Sequence, residues 1–131
     1  MQEVYEFLKN SGAYFLATVQ GDQPRVRPFG TVDIFEGRLY IQTGKVKAVA
    51  QQLKLNPRVE ISAMHPDGRW IRIEATAVLD ERIEAQQHML DAYPNLKAMY
   101  QPGDGNTEVY YLKDAQAHIC SFAAQPRIIK F

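Results

Sequence analysis

The sequence predicts a mainly β protein, an antiparallel β-barrel of six or seven strands with a few helices. Three observations support this prediction. Tight turns join most of the predicted strands, and such turns require antiparallel pairing. Only two helices interrupt the series of strands. Many short strands with few helices are typical of a sheet that closes on itself and so hides its edges.

Length, charge and cysteine content limit the possible functions. The chain has 131 residues, which predicts one domain over residues 1–131. Fifteen basic and fifteen acidic side chains leave no net charge, which argues against a general nucleic-acid or membrane-surface binder. Cys120 is the single cysteine, so no internal disulfide is possible. Without a signal-peptide pattern or a long apolar run, we expect a cytoplasmic protein with no membrane partner.

The first half of the chain predicts one helix and three strands. Residues 2–10 form a short amphipathic helix that ends at a Ser-Gly pair. Residues 14–19 are nearly all apolar, as in a strand that is buried on both faces. Residues 25–35 alternate as a second strand, and residues 39–43 form a third.

Pro28 and Gly30 are unusual within the second predicted strand. Proline removes a hydrogen-bond donor from the ladder, and glycine leaves bare backbone. This combination occurs at edges, at bulges and where a ligand approaches the chain closely. Both a plain β-bulge and a ligand contact remain open on these residues.

The stretch that follows the third strand predicts an amphipathic helix with a basic start. Its buried face would carry Val46 and, at helical spacing, Val49, Ala50 and Leu53, and Asn56-Pro57 would end it. Lys45 and Lys47 would lie in the first turn, where the helix dipole disfavours cations. Together with Thr43 and Gly44, they predict a phosphate site, because an anion would offset both the dipole and the lysine charges. The alternative is that both lysines point into water.

The second half predicts further hairpins and a second interrupting helix. Residues 58–64 and 69–79 form strands joined by an Asp-Gly turn, with Ile71, Ile73, Ala75, Ala77 and Leu79 facing the core. Trp70 heads the more polar face, either as a packing residue or as a stacking platform. A helix over residues 81–92 would bury Ile83, Gln87 and Leu90. A short turn at residues 96–100, an irregular loop at 101–106, a last hairpin from 109–112 and 117–122, and a strand over 127–131 complete the chain.

Four segments in order resemble the pyridoxamine 5′-phosphate oxidase-like family of split β-barrel flavoproteins. They are AYFLATV, then QPRVRPFGTV, then LYIQTGKVK followed by a helix and NPRVEIS, then GRWIRIEATAV. The late segment EVYYLKDAQAHICSF is similar to a branch of small bacterial members. The resemblance covers essentially the whole chain and implies a split barrel that forms homodimers, with one FMN per protomer at the subunit interface.

The resemblance also implies roles for eight residues. Arg27, Pro28 and Phe29 would lie on the strand that runs along the flavin. Gln42 and Thr43 would approach its ring and ribityl chain. The cofactor's 5′-phosphate would be held by Lys45 and Lys47, and Trp70 would reach the flavin from the partner subunit; these eight expected site residues are Arg27, Pro28, Phe29, Gln42, Thr43, Lys45, Lys47 and Trp70.

The implied function is that of an FMN-dependent oxidoreductase that reduces a small molecule with electrons from NADH or NADPH. Nitroaromatic compounds are one substrate class that the family suggests. Oxidation of pyridoxamine phosphate is not expected, because the C-terminal Arg and His residues of the true oxidase are missing and Arg127 alone is a poor substitute. The alternatives are a non-enzymatic flavin-binding or sensor protein, and a barrel that binds a deazaflavin or haem.

No side-chain catalyst or metal site is predicted. His65, His88 and His118 have no partner at the spacing of a metal site or a catalytic triad, so we expect structural or solvated roles. Cys120 is expected to be a small packing residue. A bound flavin would supply the redox chemistry, so the sequence need not contain a nucleophile or an acid–base pair.

Overall fold

One eight-stranded antiparallel sheet dominates the computed structural model, which describes residues 1–131. The helices are α1 (Gln2–Ser11), α2 (Ala48–Leu55) and α3 (Ile83–Ala92), followed by a 3₁₀ helix at Pro94–Ala98. The strands are β1 (Tyr14–Gln20), β2 (Gln23–Phe29), β3 (Asp33–Phe35), β4 (Arg38–Gly44), β5 (Arg58–Met64), β6 (Trp70–Asp80), β7 (Thr107–Cys120) and β8 (Arg127–Lys130). The sheet is a split β-barrel, so the predicted fold class is confirmed, with eight strands where six or seven were predicted. None of the helices has the length and hydropathy of a membrane span.

The strand order explains why the barrel is split. It runs β2-β1-β5-β6-β7-β4-β3, with β8 added beside β7, so the two ends of the order are consecutive in the chain. Residues 30–32, which we call the crossing segment, pass from the β2 edge of the sheet to the β3 edge. Instead of a full backbone ladder, the Thr31 hydroxyl accepts the Gln42 N–H at 3.0 Å and donates to the Gln42 carbonyl at 3.3 Å. The Tyr14 hydroxyl donates to the Thr31 carbonyl at 2.6 Å and holds this segment to β1.

The barrel interior is a single apolar core of 23 buried residues. The alternating faces of β5 and β6 contribute to it, as do Val4, Phe7 and Leu8 of α1 and Val49 and Leu53 of α2. A smaller cluster of Tyr40, Ala85, Met89 and Val109 attaches α3 to β4 and β7. Burial of these side chains stabilises the fold by about 25 cal/mol for each Å² of apolar surface removed from water.

The second predicted strand was wrong in its length. Residues 25–35 form two strands, β2 and β3, separated by the crossing segment. Alternation alone does not reveal this break, because the chain stays extended while it changes partners. The last predicted hairpin was also wrong, because β7 is one strand of 14 residues. Asp114 adopts a left-handed φ of 51°, and the β6–β7 register shifts between Glu74 and Thr76, so the strand bends there without turning back.

Several predicted faces also differ from the structure. Phe15 is 50% exposed, so β1 is buried on one face only within this chain. Val46 is 84% exposed because α2 starts two residues after it. Leu79 and Ile83 are exposed, and α3 buries Ala85, Gln86, Met89 and Leu90 instead of Ile83 and Gln87. The predicted inner face of α3 was correct at Leu90 but wrong at Ile83 and Gln87. A Gln and an Ala occupy part of this face, so large apolar residues alone did not mark it.

Candidate functional site

A cleft of about 310 Å³ lies between the end of β2, the end of β4, the start of α2 and the segment after α3. Fourteen residues line it: Arg27, Pro28, Phe29, Gly30, Thr31, Gln42, Thr43, Lys47, Val49, Tyr93, Asn95, Leu96, Met99 and Tyr100. None of them is acidic, while Arg27 and Lys47 are basic. Six of the eight expected site residues thus meet in one cleft, and Lys45 and Trp70 do not line it.

The β4 end supplies a rigid floor of polar side chains. Gln42 and Thr43 are 6% and 3% exposed. The Gln42 amide nitrogen donates to the Thr43 carbonyl at 3.1 Å and to the Thr107 hydroxyl at 3.3 Å. Because both amide hydrogens are used in this way, the side-chain oxygen of Gln42 is the end that remains for a ligand.

Gly44 allows one wall of the cleft to approach the β4 backbone. A Cβ atom placed on Gly44 would lie 2.9 Å from the Tyr100 hydroxyl and 3.3 Å from its Cε1. Real Cβ atoms do not pack so closely to other heavy atoms, so only glycine fits while Tyr100 keeps this position. Gly44 is therefore a position of close approach between the β4 backbone and Tyr100, which its place in the predicted phosphate site did not suggest.

The two lysines diverge at the start of α2. We predicted both in the first helical turn, and this was wrong, because a turn closed by the Lys47 N–H and the Gly44 carbonyl at 3.0 Å precedes the helix. Lys47 is the N-cap residue and lines the cleft, and Ala48 is the first helical residue. Lys45 donates its backbone N–H to the Asn106 carbonyl at 2.7 Å and lines a separate crevice with Glu81 and Glu108. The structure therefore brings only Lys47 to the cleft.

The N-terminus of α2 carries no compensating group of its own. No side chain caps it, and its first turn contains no acidic residue. Lys47 forms no ion pair with a carboxylate in the way that Lys97 pairs with Asp91 at 2.8 Å. Free N–H groups at a helix start carry partial positive charge, so this end of the cleft has a positive potential.

Arg27 supports the site through hydrogen bonds from its guanidinium to β1 and α2. Its guanidinium donates to the Thr18 hydroxyl at 2.7 Å, to the Leu16 carbonyl at 3.2 Å and to the side-chain oxygen of Gln52. Burial, with a smaller effect from the Arg25 charge, lowers the pKa of Arg27. These bonds tie β2 to β1 and to α2, so Arg27 positions the strand that forms one side of the cleft.

Sequence reasoning missed the opposite wall, which the segment after α3 forms. The Tyr93 hydroxyl accepts the Val32 N–H at 3.0 Å and donates to the Val32 carbonyl at 2.9 Å, so this segment is anchored on the crossing segment. Lys9 donates to the same hydroxyl at 3.1 Å. The wall residues Asn95, Leu96, Met99 and Tyr100 follow this anchor. The sequence predicted only a short turn at residues 96–100, and such a local signal gives no information about contacts with the crossing segment.

Trp70 is the first residue of β6, and no residue of this strand lines the cleft. It pairs with Met64 of β5 and Cys120 of β7, and its ring centroid is 5.0 Å from that of Phe122. Phe122 is 95% exposed and Met64 is 58% exposed. Trp70 therefore belongs to an exposed apolar patch on the outside of the barrel.

The histidines occupy separate places on the protein. His65 lies 3.0 Å from Asp67 in the β5–β6 turn, and its ring is 5.2 Å from that of Phe7. His88 of α3 lies 2.8 Å from Asp33. His118 contacts Gln116 on β7 at 3.0 Å. No group of three or more His, Cys, Asp or Glu side chains has an arrangement that would hold a metal ion.

Comparisons with known proteins agree with this architecture. A NimC/NimA family protein from Clostridium acetobutylicum is 43% identical over 100% of this chain and 92% of that chain, with a TM-score of 0.97. General Stress Protein 26 from Bacillus anthracis is 17% identical over 99% and 97% of the two chains, with a TM-score of 0.77. An F420 reductase is 20% identical over 82% and 90% of the chains, with a TM-score of 0.59. The last two show the fold alone.

The sequence comparison with curated proteins found no match. The family profile of pyridoxamine 5′-phosphate oxidase, in contrast, matches residues 1–121, which is nearly the whole chain. The chain therefore belongs to the pyridoxamine 5′-phosphate oxidase family.

Proposed function

We propose that this protein is an FMN-binding oxidoreductase that reduces a small molecule with electrons from NADH or NADPH. The observation that carries the proposal is the acid-free cleft in which Lys47, the uncapped start of α2 and the β4 end meet. FMN combines a phosphate with a flat ring system. The two ends of the cleft match these two parts.

The α2 end suits the phosphate. The first helical N–H groups are free to donate, and Lys47 adds a full positive charge beside them. A phosphate bound there would offset the helix dipole and a lysine that has no carboxylate partner. The absence of any acidic side chain from the cleft lining removes the main source of repulsion.

The β2 end suits a flat ring. Pro28 and Gly30 are exposed, and a Cβ atom placed on Gly30 would meet no atom within 4 Å. Leu96 and Met99 provide apolar surface on the facing wall. Apolar side chains with a few backbone polar groups are the usual lining of small-molecule sites, and bare backbone at a glycine lets a ligand approach closely.

Bound FMN would supply the electron-transfer chemistry. Lys47 would bind and orient its phosphate, and the crossing segment would present backbone groups to its ring. Arg27 would keep β2 and α2 at a constant separation through Thr18 and Gln52. The wall around Tyr100 would exclude water from one side of the ring.

A second copy of the chain would complete the site. The cleft of about 310 Å³ is at the small end of ligand pockets, which span about 300–1,000 Å³. Pro28 pairs with Phe15, which is 50% exposed, so both lie on the outer face of the barrel. Counting residue pairs across β1, β5 and β6 places Trp70 on this same face. We therefore propose a homodimer in which this face is covered and Trp70 of each copy approaches the cleft of the other.

An absorbance titration of the purified protein with FMN tests the cofactor proposal. We expect a saturable change in the flavin spectrum, followed by bleaching when NADH or NADPH is added without oxygen. A nitroaromatic compound would then be the first oxidant to try. Binding without bleaching by either donor would favour a non-enzymatic flavin-binding or sensor protein. Absence of FMN binding would contradict the proposal, and a deazaflavin and haem would then be titrated instead.

Gel filtration with light scattering tests the dimer. We expect the mass of two chains. A monomer that binds FMN with full affinity would contradict a site at the subunit interface.

A further inference from the structure

A second concave surface lies beside α2, and we name it the amide groove. Its volume is about 560 Å³, and it runs between the β1–β2 turn and the helix. Gln20, Gln51, Gln52 and Asn56 line it together with Val19, Gly21, Ala48 and Leu55. No lining residue is charged. Four of the eight lining side chains are carboxamides, which can both donate and accept hydrogen bonds.

Internal hydrogen bonds orient three of these carboxamides. The side-chain oxygen of Gln20 accepts the Arg25 Nε–H at 2.9 Å, and that of Asn56 accepts the Arg58 backbone N–H at 3.1 Å. The Gln52 oxygen accepts from the Arg27 guanidinium. Backbone N–H and guanidinium groups only donate, so the oxygen of each carboxamide must be the end that meets them. The free ends are therefore the three NH₂ groups.

Gln52 gives the strongest single indication of a ligand site. Its side chain is nearly buried, with 6% exposure, and its oxygen also accepts from the Thr18 hydroxyl at 2.5 Å. Its nitrogen donates no hydrogen bond within the chain. Every fully buried side-chain nitrogen or oxygen in the chain has a hydrogen-bond partner. The Gln52 nitrogen has none, so it is not fully buried and can be reached from solvent. The amide groove is the concave surface that Gln52 lines, and the nitrogen is thus an unpartnered donor at its floor.

We propose that the amide groove binds an uncharged planar ligand that carries carbonyl oxygens, such as a cyclic imide or the edge of a nucleobase. Three NH₂ donors match carbonyl acceptors, and Val19 and Leu55 offer apolar surface to a flat ring. We expect an uncharged ligand, because no lining side chain carries a charge and the nearby Arg25 and Arg27 guanidiniums already donate to the Gln20 and Gln52 oxygens. This groove is a separate concave surface from the FMN cleft, and Arg27 contacts both.

The test uses 1,3-dimethyluracil, a flat molecule with two carbonyl oxygens and no N–H donor. The flavin-free protein is titrated, and the side-chain NH₂ resonances are followed by two-dimensional NMR. We expect saturable shifts at Gln20, Gln52 and Asn56, and none at Gln101 or Gln125, which are exposed elsewhere. Phenol, which is flat without a carbonyl, and acetate, which is an anion, should not produce these shifts.

A pair of isosteric substitutions tests the donors directly. Gln20→Glu with Asn56→Asp keeps the inward oxygens and replaces each free NH₂ with a carboxylate oxygen. We expect at least about tenfold weaker binding of the probe, since each lost hydrogen bond is worth about 1 kcal/mol. Gln101→Glu with Gln125→Glu makes the same charge change outside the groove and should leave the affinity unchanged.

The outcomes separate this proposal from the FMN proposal. The absence of saturable shifts, an equal response to phenol or acetate, or an equal loss in both double variants would overturn the amide-groove site. Thermal unfolding of each variant confirms that it folds. Failure of FMN to bind in the absorbance titration would leave the amide-groove result intact, because the probe is added to flavin-free protein.

Discussion

Two basic regions of this protein use their charges in opposite ways. Arg82, at the β6–α3 junction, donates to Asp80 at 2.9 Å and to Glu36 at 2.8 Å, so its charge is compensated. Lys47, at the start of α2, has no carboxylate partner and faces a cleft without acidic residues. A paired cation holds elements of the fold together, whereas an unpaired cation beside free N–H groups leaves a positive potential in the cleft.

We expect the largest effect, a loss of unfolding free energy, from a substitution in the paired region around Arg82. The Asp80 carboxylate accepts from the Tyr40 hydroxyl at 2.7 Å and from the Arg82 guanidinium. Asp80→Ala removes this acceptor and leaves a buried tyrosine hydroxyl unpaired, so we expect a loss of about 3 kcal/mol in unfolding free energy. Urea unfolding measures it. FMN affinity at a temperature where the variant is folded should stay unchanged, and a large loss of affinity would contradict the separation of the two regions.

The next effect concerns the geometry of the cleft. Gly44→Ala places a Cβ atom 2.9 Å from the Tyr100 hydroxyl, so the tyrosine must move. We expect a loss of about 2 kcal/mol in stability from overpacking, together with weaker FMN binding. Gly30→Ala is the matched control for stability, because its Cβ meets no atom within 4 Å. Equal unfolding midpoints for the two variants would show that the close approach at Gly44 is not needed.

Separate substitutions of Lys47 and Lys45 test the unpaired region at the start of α2. Lys47→Ala should weaken FMN binding at least about tenfold, or about 1.4 kcal/mol, since the phosphate loses its nearest full charge. Lys45→Ala is the control, because Lys45 lines a different crevice beside Glu81 and Glu108. The double substitution should match Lys47→Ala alone. If Lys45→Ala weakens binding as much as Lys47→Ala, the assignment of the phosphate to Lys47 is wrong.

The smallest effect is a dependence of stability on pH. The Arg82 guanidinium holds the pKa of Asp80 at about 2, against an ordinary value of 3.8. A pKa that is lower in the folded state means that the stabilisation is present above about pH 4 and disappears as the pH falls towards 2. Asp80→Asn should therefore show a flatter decline of unfolding free energy over this range. Identical pH profiles for both proteins would contradict the pairing.

Much of the fold was predictable because its signals are local. The Asp-Gly turn and the alternation of Ile71, Ile73 and Ala75 place β5 and β6 correctly, since turn chemistry and side-chain period depend on near neighbours. The break between β2 and β3 was not predictable, because the crossing segment remains extended and only its hydrogen-bond partners change. The hairpin turn predicted between residues 112 and 117 was wrong for a similar reason, because the left-handed backbone at Asp114 bends β7 without reversing it.

The candidate site also contains some residues that local sequence signals indicated and others that they did not. Pro28 and Gly30 were visible as exceptions within a strand, and the basic start of α2 was visible as an excess of lysines. The wall around Tyr100 was invisible, because its contact with Gly44 joins residues far apart in the chain. The choice between Lys45 and Lys47 was also beyond the sequence. It depends on a turn that ends two residues later than helical periodicity suggests.

By itself, the sequence determined a mainly β-barrel fold, most of its hairpins and the basic character of the start of α2. These follow from periodicity, turn residues and charge, which act over a few positions. The tertiary structure alone decided that Lys47 and not Lys45 enters the cleft, that Tyr100 forms its wall, and that three amide nitrogens are left free in a second groove. The reason is physical: a side chain's partner, and hence its free end, is settled only when distant segments pack together.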